Sequence, residues 1–211
     1  MLISSAAFAQ KKPLDHSVYD SWQSVGSKQL TNNGLWASFI VSPQEGDGNL
    51  YFQETLTPSG RKLMIARGTN LSFSNDSKFA ALAVKPLFKD VRLAKIKKKK
   101  ADEQTKDTLA IINLTNLNVT KVPRVKSFSF PDKGAAIIAY TLEKPLDTAK
   151  KSKTSATPEK KDSDLFADEP AAGAGASKEG TDLIVKNLVT GVEKTYKYVT
   201  EYAFSKDGKL L

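Results

Sequence analysis

The chain has no cysteine, so disulfides, zinc-thiolate sites and a thiol nucleophile are all excluded. It has one histidine, His16, which has no recognisable metal-ligand or catalytic partner at a useful spacing and reads as a cap or surface residue. A second histidine for an H-E-x-x-H pair is missing, and so are a G-x-S-x-G nucleophile elbow and a phosphate-binding glycine loop. Acidic residues are scattered over turns and loops, with no spacing that would hold a general acid and base across a cleft. No catalytic, cofactor or metal site is therefore expected in these 211 residues, and the chain alone is expected to catalyse nothing. No run approaches the eighteen or so apolar residues that span a bilayer.

What is present is a repeat. Leu71 to Val84, Phe128 to Tyr140 and Tyr202 to Leu211 each show a short aromatic strand, a polar turn and a β-rich run, and Gln29 to Val41 is a looser copy. The turns fall near Gly34, Asp76, Lys133 and Asp207, where Gly, Asn and Asp tolerate the backbone of a tight hairpin. A second hairpin follows each of the first three copies: Asn49 to Ala66, Thr108 to Val122 and Asp182 to Tyr198. Four short strands in succession make one antiparallel blade, and such units recurring every 40 to 50 residues or so mark a β-propeller.

The fold expected is all-β, an incomplete propeller of about three and a half four-stranded blades over 28–211. The blades are placed at 28–66, 70–123, 126–198 and an unfinished 200–211. Closed propellers have about four to eight blades, so this number does not complete a ring. In Leu109 to Leu114 and Leu183 to Leu188 the apolar residues crowd beyond strict alternation, as in strands covered on both faces by neighbouring blades. An antiparallel sandwich, which also has many short strands and turns, is the alternative. With open ends the blade edges would be exposed to unwanted pairing, so the isolated chain is expected to be prone to aggregation or molten.

Three segments depart from the blade pattern. In the first, residues 11–27, the cap residue Asp15 followed by Val18 and Trp22 predicts a short helix ahead of the first blade. In the second, residues 85–106, Leu87, Val91 and Ala94 fall at helical spacing among lysines, which predicts a short amphipathic helix on the propeller face or else a solvated loop. Arg92 is its most interesting side chain, a candidate to pair with a substrate carboxylate or carbonyl, although a salt bridge to Asp90 or another acid is the commoner use. The third, 144–180, is rich in Lys, Ser, Thr, Ala, Asp and Gly and poor in apolar residues, so a disordered insertion is expected. Its Leu165-Phe166 pair among acids is a docking motif or a chance pairing.

The net charge of +9 is concentrated in the second of these segments: nine basic residues between Lys85 and Lys106 stand against three acidic ones, which accounts for six of the nine. A lysine run without interleaved aromatics has no platform for stacking bases, so nucleic acid is not an expected partner. At the amino terminus, Leu2 to Gln10 reads as the last part of a secretory signal peptide, with Ala7 and Ala9 before a cut at Gln10. The charged region and most of the apolar region of such a signal are missing, so the start is expected to be truncated or misassigned and the mature chain periplasmic or secreted. A mildly apolar cytosolic amino terminus is the alternative.

Four segments together resemble a family: Lys12 to Trp22, Val41 to Gly48, Lys85 to Asp102 and Pro123 to Ser127. They are similar to the amino-terminal part of secreted prolyl-oligopeptidase-type serine peptidases of Bacteroidetes-like bacteria. The resemblance spans nearly the whole chain outside 144–180, and none of the four is a catalytic motif. It implies a two-domain enzyme in which a propeller restricts access to a following α/β-hydrolase domain with a Ser-Asp-His triad. No triad position falls within this chain, which would then be a fragment serving as gate and docking surface for peptide substrates. In related dipeptidyl peptidases acidic and arginine side chains of the propeller hold the substrate, but no adjacent Glu-Glu pair is present to match, and Arg92 is the one candidate carried over. The alternative function is a stand-alone periplasmic propeller that binds protein. A G-x-S-x-G downstream in the reading frame would separate the two.

Overall fold

The computed structural model describes residues 16–57, 59–134, 136–144, 180–206 and 208. The expected signal-peptide remnant, the Asp15 cap, the Leu165-Phe166 pair and all but the ends of the expected disordered insertion lie outside them.

Twelve strands form three four-stranded antiparallel sheets, each a simple meander. The first contains β1 (Gln23–Leu30), β2 (Trp36–Pro43), β3 (Asn49–Glu54) and β4 (Lys62–Ala66). The second contains β5 (Gly68–Phe73), β6 (Phe79–Val84), β7 (Thr108–Asn113) and β8 (Asn118–Pro123). The third contains β9 (Val125–Ser129), β10 (Ile137–Leu142), β11 (Thr181–Asn187) and β12 (Glu193–Val199). These are three blades of a propeller, short of a closed ring. Strand β1 starts upstream of the expected blade start at 28: its pairing with β2 begins at Gln23 opposite Pro43, although every one of its residues is exposed and it carries no apolar alternation. A short 3-10 helix of two turns, His16–Ser21, precedes it. Among the described residues no helix is long and apolar enough to cross a membrane.

The blades stack face to face. Trp36, Leu50 and Phe52 of the first pack on Ala80, Leu82, Ala110 and Ile112 of the second. From the opposite face of the same two strands, Ala81, Leu109 and Ile111 pack on Val125, Ile138 and Tyr140 of the third. Successive strand residues point to opposite faces, so a strand enclosed on both sides must be apolar at every position. That is why Phe79 to Ala83 and Leu109 to Ile112 are buried without a break.

Strand β11 differs from expectation: only Leu183 is buried and the rest of its residues are half-buried. Its Ile184 joins the core shared with the second blade. The other face of the third blade meets the segment after β12, where the Tyr202 hydroxyl donates to the Ala139 carbonyl at 3.2 Å. Among the described residues of 200–211 no strand forms, but the repeat's turn does. The Gly208 amide donates to the Ser205 carbonyl at 2.9 Å, as Gly34 does to Thr31 (2.8 Å) and Ser77 to Ser74 (2.9 Å). Gly34, Ser77 and Gly208 all have positive φ, at 72°, 58° and 68°.

Candidate functional site: the cleft beneath the helix

An antiparallel meander puts alternate connections at opposite ends. One end carries the tight hairpins. The other carries the β2–β3 loop, the blade junctions at Arg67 and Arg124, and the long β6–β7 connection with its helix α1 (Phe88–Ile96). This second end holds the candidate site.

Helix α1 forms where Val91 and Ala94 fall on one face; Ala94 is buried and Val91 half-buried. Its first turn is tied to the first blade, since the Phe88 amide donates to Asp47 Oδ1 at 2.9 Å and so satisfies one of the free amides of a helix start. Its last turn closes on lysines. Lys98 takes the left-handed conformation (φ 49°) while its amide reaches the Lys95 carbonyl and that of Lys99 the Ala94 carbonyl, both at 3.0 Å. That pair of bonds is the Schellman closure, usually built on glycine. The lysine run is thus in part a helix terminus as well as a charged surface.

Arg92 projects from α1 and pairs with Glu45 of the β2–β3 loop, Nη1 to Oε1 at 3.1 Å, rather than with the neighbouring Asp90. Both side chains are about two-thirds exposed (65% and 63%), so the pair contributes at most about 1 kcal/mol. His16 is exposed at the amino-terminal turn, where its ring meets Tyr19 edge-on at 5.2 Å.

Beneath the helix, between the first and second blades, lies a cleft of about 490 Å³. Ile40, Pro86, Phe88 and Val91 supply apolar wall, and Ser42, Thr69 and Thr105 supply hydroxyls. Lys85 and Asp107 also line it, paired with each other at 2.6 Å. Arg67 lines it at the junction from β4 to β5, with φ 61°. The junction geometry is built by backbone bonds: the Arg67 amide donates to the Gly48 carbonyl at 2.7 Å, and its carbonyl accepts from Lys85 N at 3.0 Å. At the next junction Arg124 repeats this, with φ 58° and its carbonyl accepting from Glu143 N at 2.8 Å. Among the described residues no group of three or more potential metal ligands occurs.

Sequence reasoning singled out Arg92 and missed Arg67. The available signal was positional: an arginine at the link between one blade's last strand and the next blade's first occurs twice, before Gly68 and before Val125.

No protein-family model matches the chain, and no curated protein matches it either. Among solved structures it is similar to the acylaminoacyl peptidase of Pyrococcus horikoshii, at 10% identity and a TM-score of 0.44, over 87% of this chain and 26% of that one. It is also similar to the β-propeller domain of the Trilobed protease from Pyrococcus furiosus, described as having an open velcro topology, at 8% identity and a TM-score of 0.48, over 85% of this chain and 44% of that one. The chain thus spans less than two thirds of either. Its assignment as propeller blades rests on its own three stacked sheets.

Proposed function

We propose that this chain is the propeller part of an exported serine peptidase, and that it gates and positions peptide substrates for an α/β-hydrolase domain of the same protein. One observation carries the reading. Three of the four segments that resemble the prolyl-oligopeptidase type, Val41 to Gly48, Lys85 to Asp102 and Pro123 to Ser127, are far apart in sequence yet assemble at one end of the blades. Asp47 caps the helix, Glu45 holds Arg92, and Lys85 pairs at 2.6 Å with Asp107, just beyond the second segment, whose carbonyl accepts from Val125 N at 3.1 Å. The opposite end consists of short polar hairpins that hold one another, as where Asn32 Nδ2 donates to the Asn75 carbonyl at 3.2 Å. An end built from longer, tied-down connections is suited to meeting a second domain, because function is concentrated on loops that a rigid scaffold positions. In this reading the hydrolase domain supplies the activated serine and the oxyanion hole. The propeller contributes size exclusion and orientation.

The test is to sequence and express the whole gene product and assay it on alanyl and prolyl peptides of increasing length. Hydrolysis is expected from the product, with a length limit that relaxes when residues 86–106 are replaced by a short turn, and none from the 211-residue chain alone. A product that lacks a G-x-S-x-G elbow and hydrolyses none of these peptides would instead favour a protein-binding propeller. Hydrolysis by the present chain itself would contradict both.

A further inference from the structure

We propose that the cleft between the first two blades binds the free C-terminal carboxylate of an apolar peptide, with Arg67 as the carboxylate-binding residue. This goes beyond the gating role and does not depend on it, since it requires only the cleft and its charge.

Lys85 and Asp107 neutralise each other at 2.6 Å. Asp47 accepts from the helix start, and Arg92 and Glu45 are paired at 3.1 Å. Arg67 is half-buried and its backbone is fixed by the junction bonds, yet among the described residues no hydrogen bond or ion pair engages its guanidinium. The equivalent arginine behaves differently. Arg124, in the same backbone geometry one blade later, donates from Nη2 to the Lys144 carbonyl at 2.7 Å. At the first junction the corresponding stretch of chain is Pro86, where the connection swings out into α1 and the cleft opens. A cation satisfied by protein at one junction is left to a ligand at the other.

The chemistry of the ligand follows from the surroundings. A guanidinium presents two parallel N–H groups that match a carboxylate. Arg67 is the one lining cation without an ion-pair partner among the described residues, and the Asp47 carboxylate, which accepts only a backbone amide, keeps its negative charge in the same lining, so the cleft suits a singly charged group at Arg67 better than a phosphate dianion. Ile40, Phe88 and Val91 provide wall for an apolar side chain, while Ser42, Thr69 and Gln104 can serve the amides of a peptide. A volume of about 490 Å³ is in the usual range for small-ligand sites and suits a residue or two, not a long chain.

The experiment titrates the full 211-residue chain with acetyl-Ala-Phe as the free acid, with its C-terminal amide, with phenylpropionate and with inorganic phosphate, following binding by calorimetry. The acid is expected to bind at least about tenfold more tightly than the amide. Arg67→Asn, which tolerates the left-handed backbone, is expected to erase that preference, Arg67→Lys to lose most of it, and Arg92→Gln to keep it. Thermal melts of each variant separate loss of the site from loss of fold. Equal affinity for acid and amide, no binding of the acid up to about 10 mM, or a preference that survives Arg67→Asn in a folded variant would overturn the proposal. Phenylpropionate binding as tightly as the peptide would overturn its peptide component, and competition by phosphate would overturn the preference for a carboxylate.

Discussion

Tyr140 sits in the core between the second and third blades at 2% exposure, and burial, with a smaller contribution from the Glu193 charge, pushes its hydroxyl up to about 12. Its ordinary value is near 10, so the folded state holds the proton after an unfolded chain has released it. The stabilisation is complete below about pH 10 and is lost as pH rises through about 12, amounting to roughly 2–3 kcal/mol over that window. Tyr140→Phe is therefore expected to remove that part of the alkaline loss of stability while changing neutral-pH stability little, as read from urea unfolding at pH 7, 10 and 11. The Arg61 hydrogen bonds act in the other direction on Glu54 and hold its carboxyl below the usual range, so its contribution is present at neutral pH and lost as pH falls through the lowered value. At this scale the turns were legible in sequence, because their hydroxyls and amides are local. Thr31 and Ser74 each use a side-chain oxygen to accept the amide at the start of the following strand, Trp36 N and Phe79 N, both at 3.0 Å. The left-handed residue is Ser77, one beyond Asp76, since Asp76 supplies an acceptor to Lys78 N while Ser77 takes the strained backbone.

Among the elements, β6 and β7 bear the packing, as each is covered on both sides. Leu82 is fully buried against the first blade. Leu82→Ala is expected to cost about 2–5 kcal/mol, whereas Met64→Ala, on the open face of the first blade at 51% exposure, should cost under about 0.5 kcal/mol; denaturant midpoints of the two variants compare them directly. The apolar runs that revealed β7 in sequence overstated β11. A run of apolar residues records a strand's capacity for two-sided burial, and whether a neighbour occupies the second side is a long-range fact. The reverse holds for the first part of β1, residues 23–27, whose exposed polar residues gave no signal and which is located by pairing with β2. Helix α1 was legible because its spacing is local. The cleft beneath it was not, because it needs the β2–β3 loop, a blade junction and the helix insertion brought together from three parts of the chain.

At the scale of the whole molecule the blades share two separate cores, one on each side of the second blade, and the faces beyond them are more open. On the outward face of the first blade Val25, Leu30 and Met64 are more than half exposed, and Phe39 stacks on Tyr51 at 5.5 Å. Such a graded arrangement should appear as graded protection, because local opening is governed by how much buried contact each strand must break. Amide hydrogen exchange across the whole chain tests the stacked-blade account most directly. The slowest amides are expected in β6, β7 and β10, with β1 and β12 exchanging fastest among the strands. Uniform protection over all twelve strands, or protection greatest in β1 and β12, would contradict an architecture in which the second blade is enclosed by its neighbours.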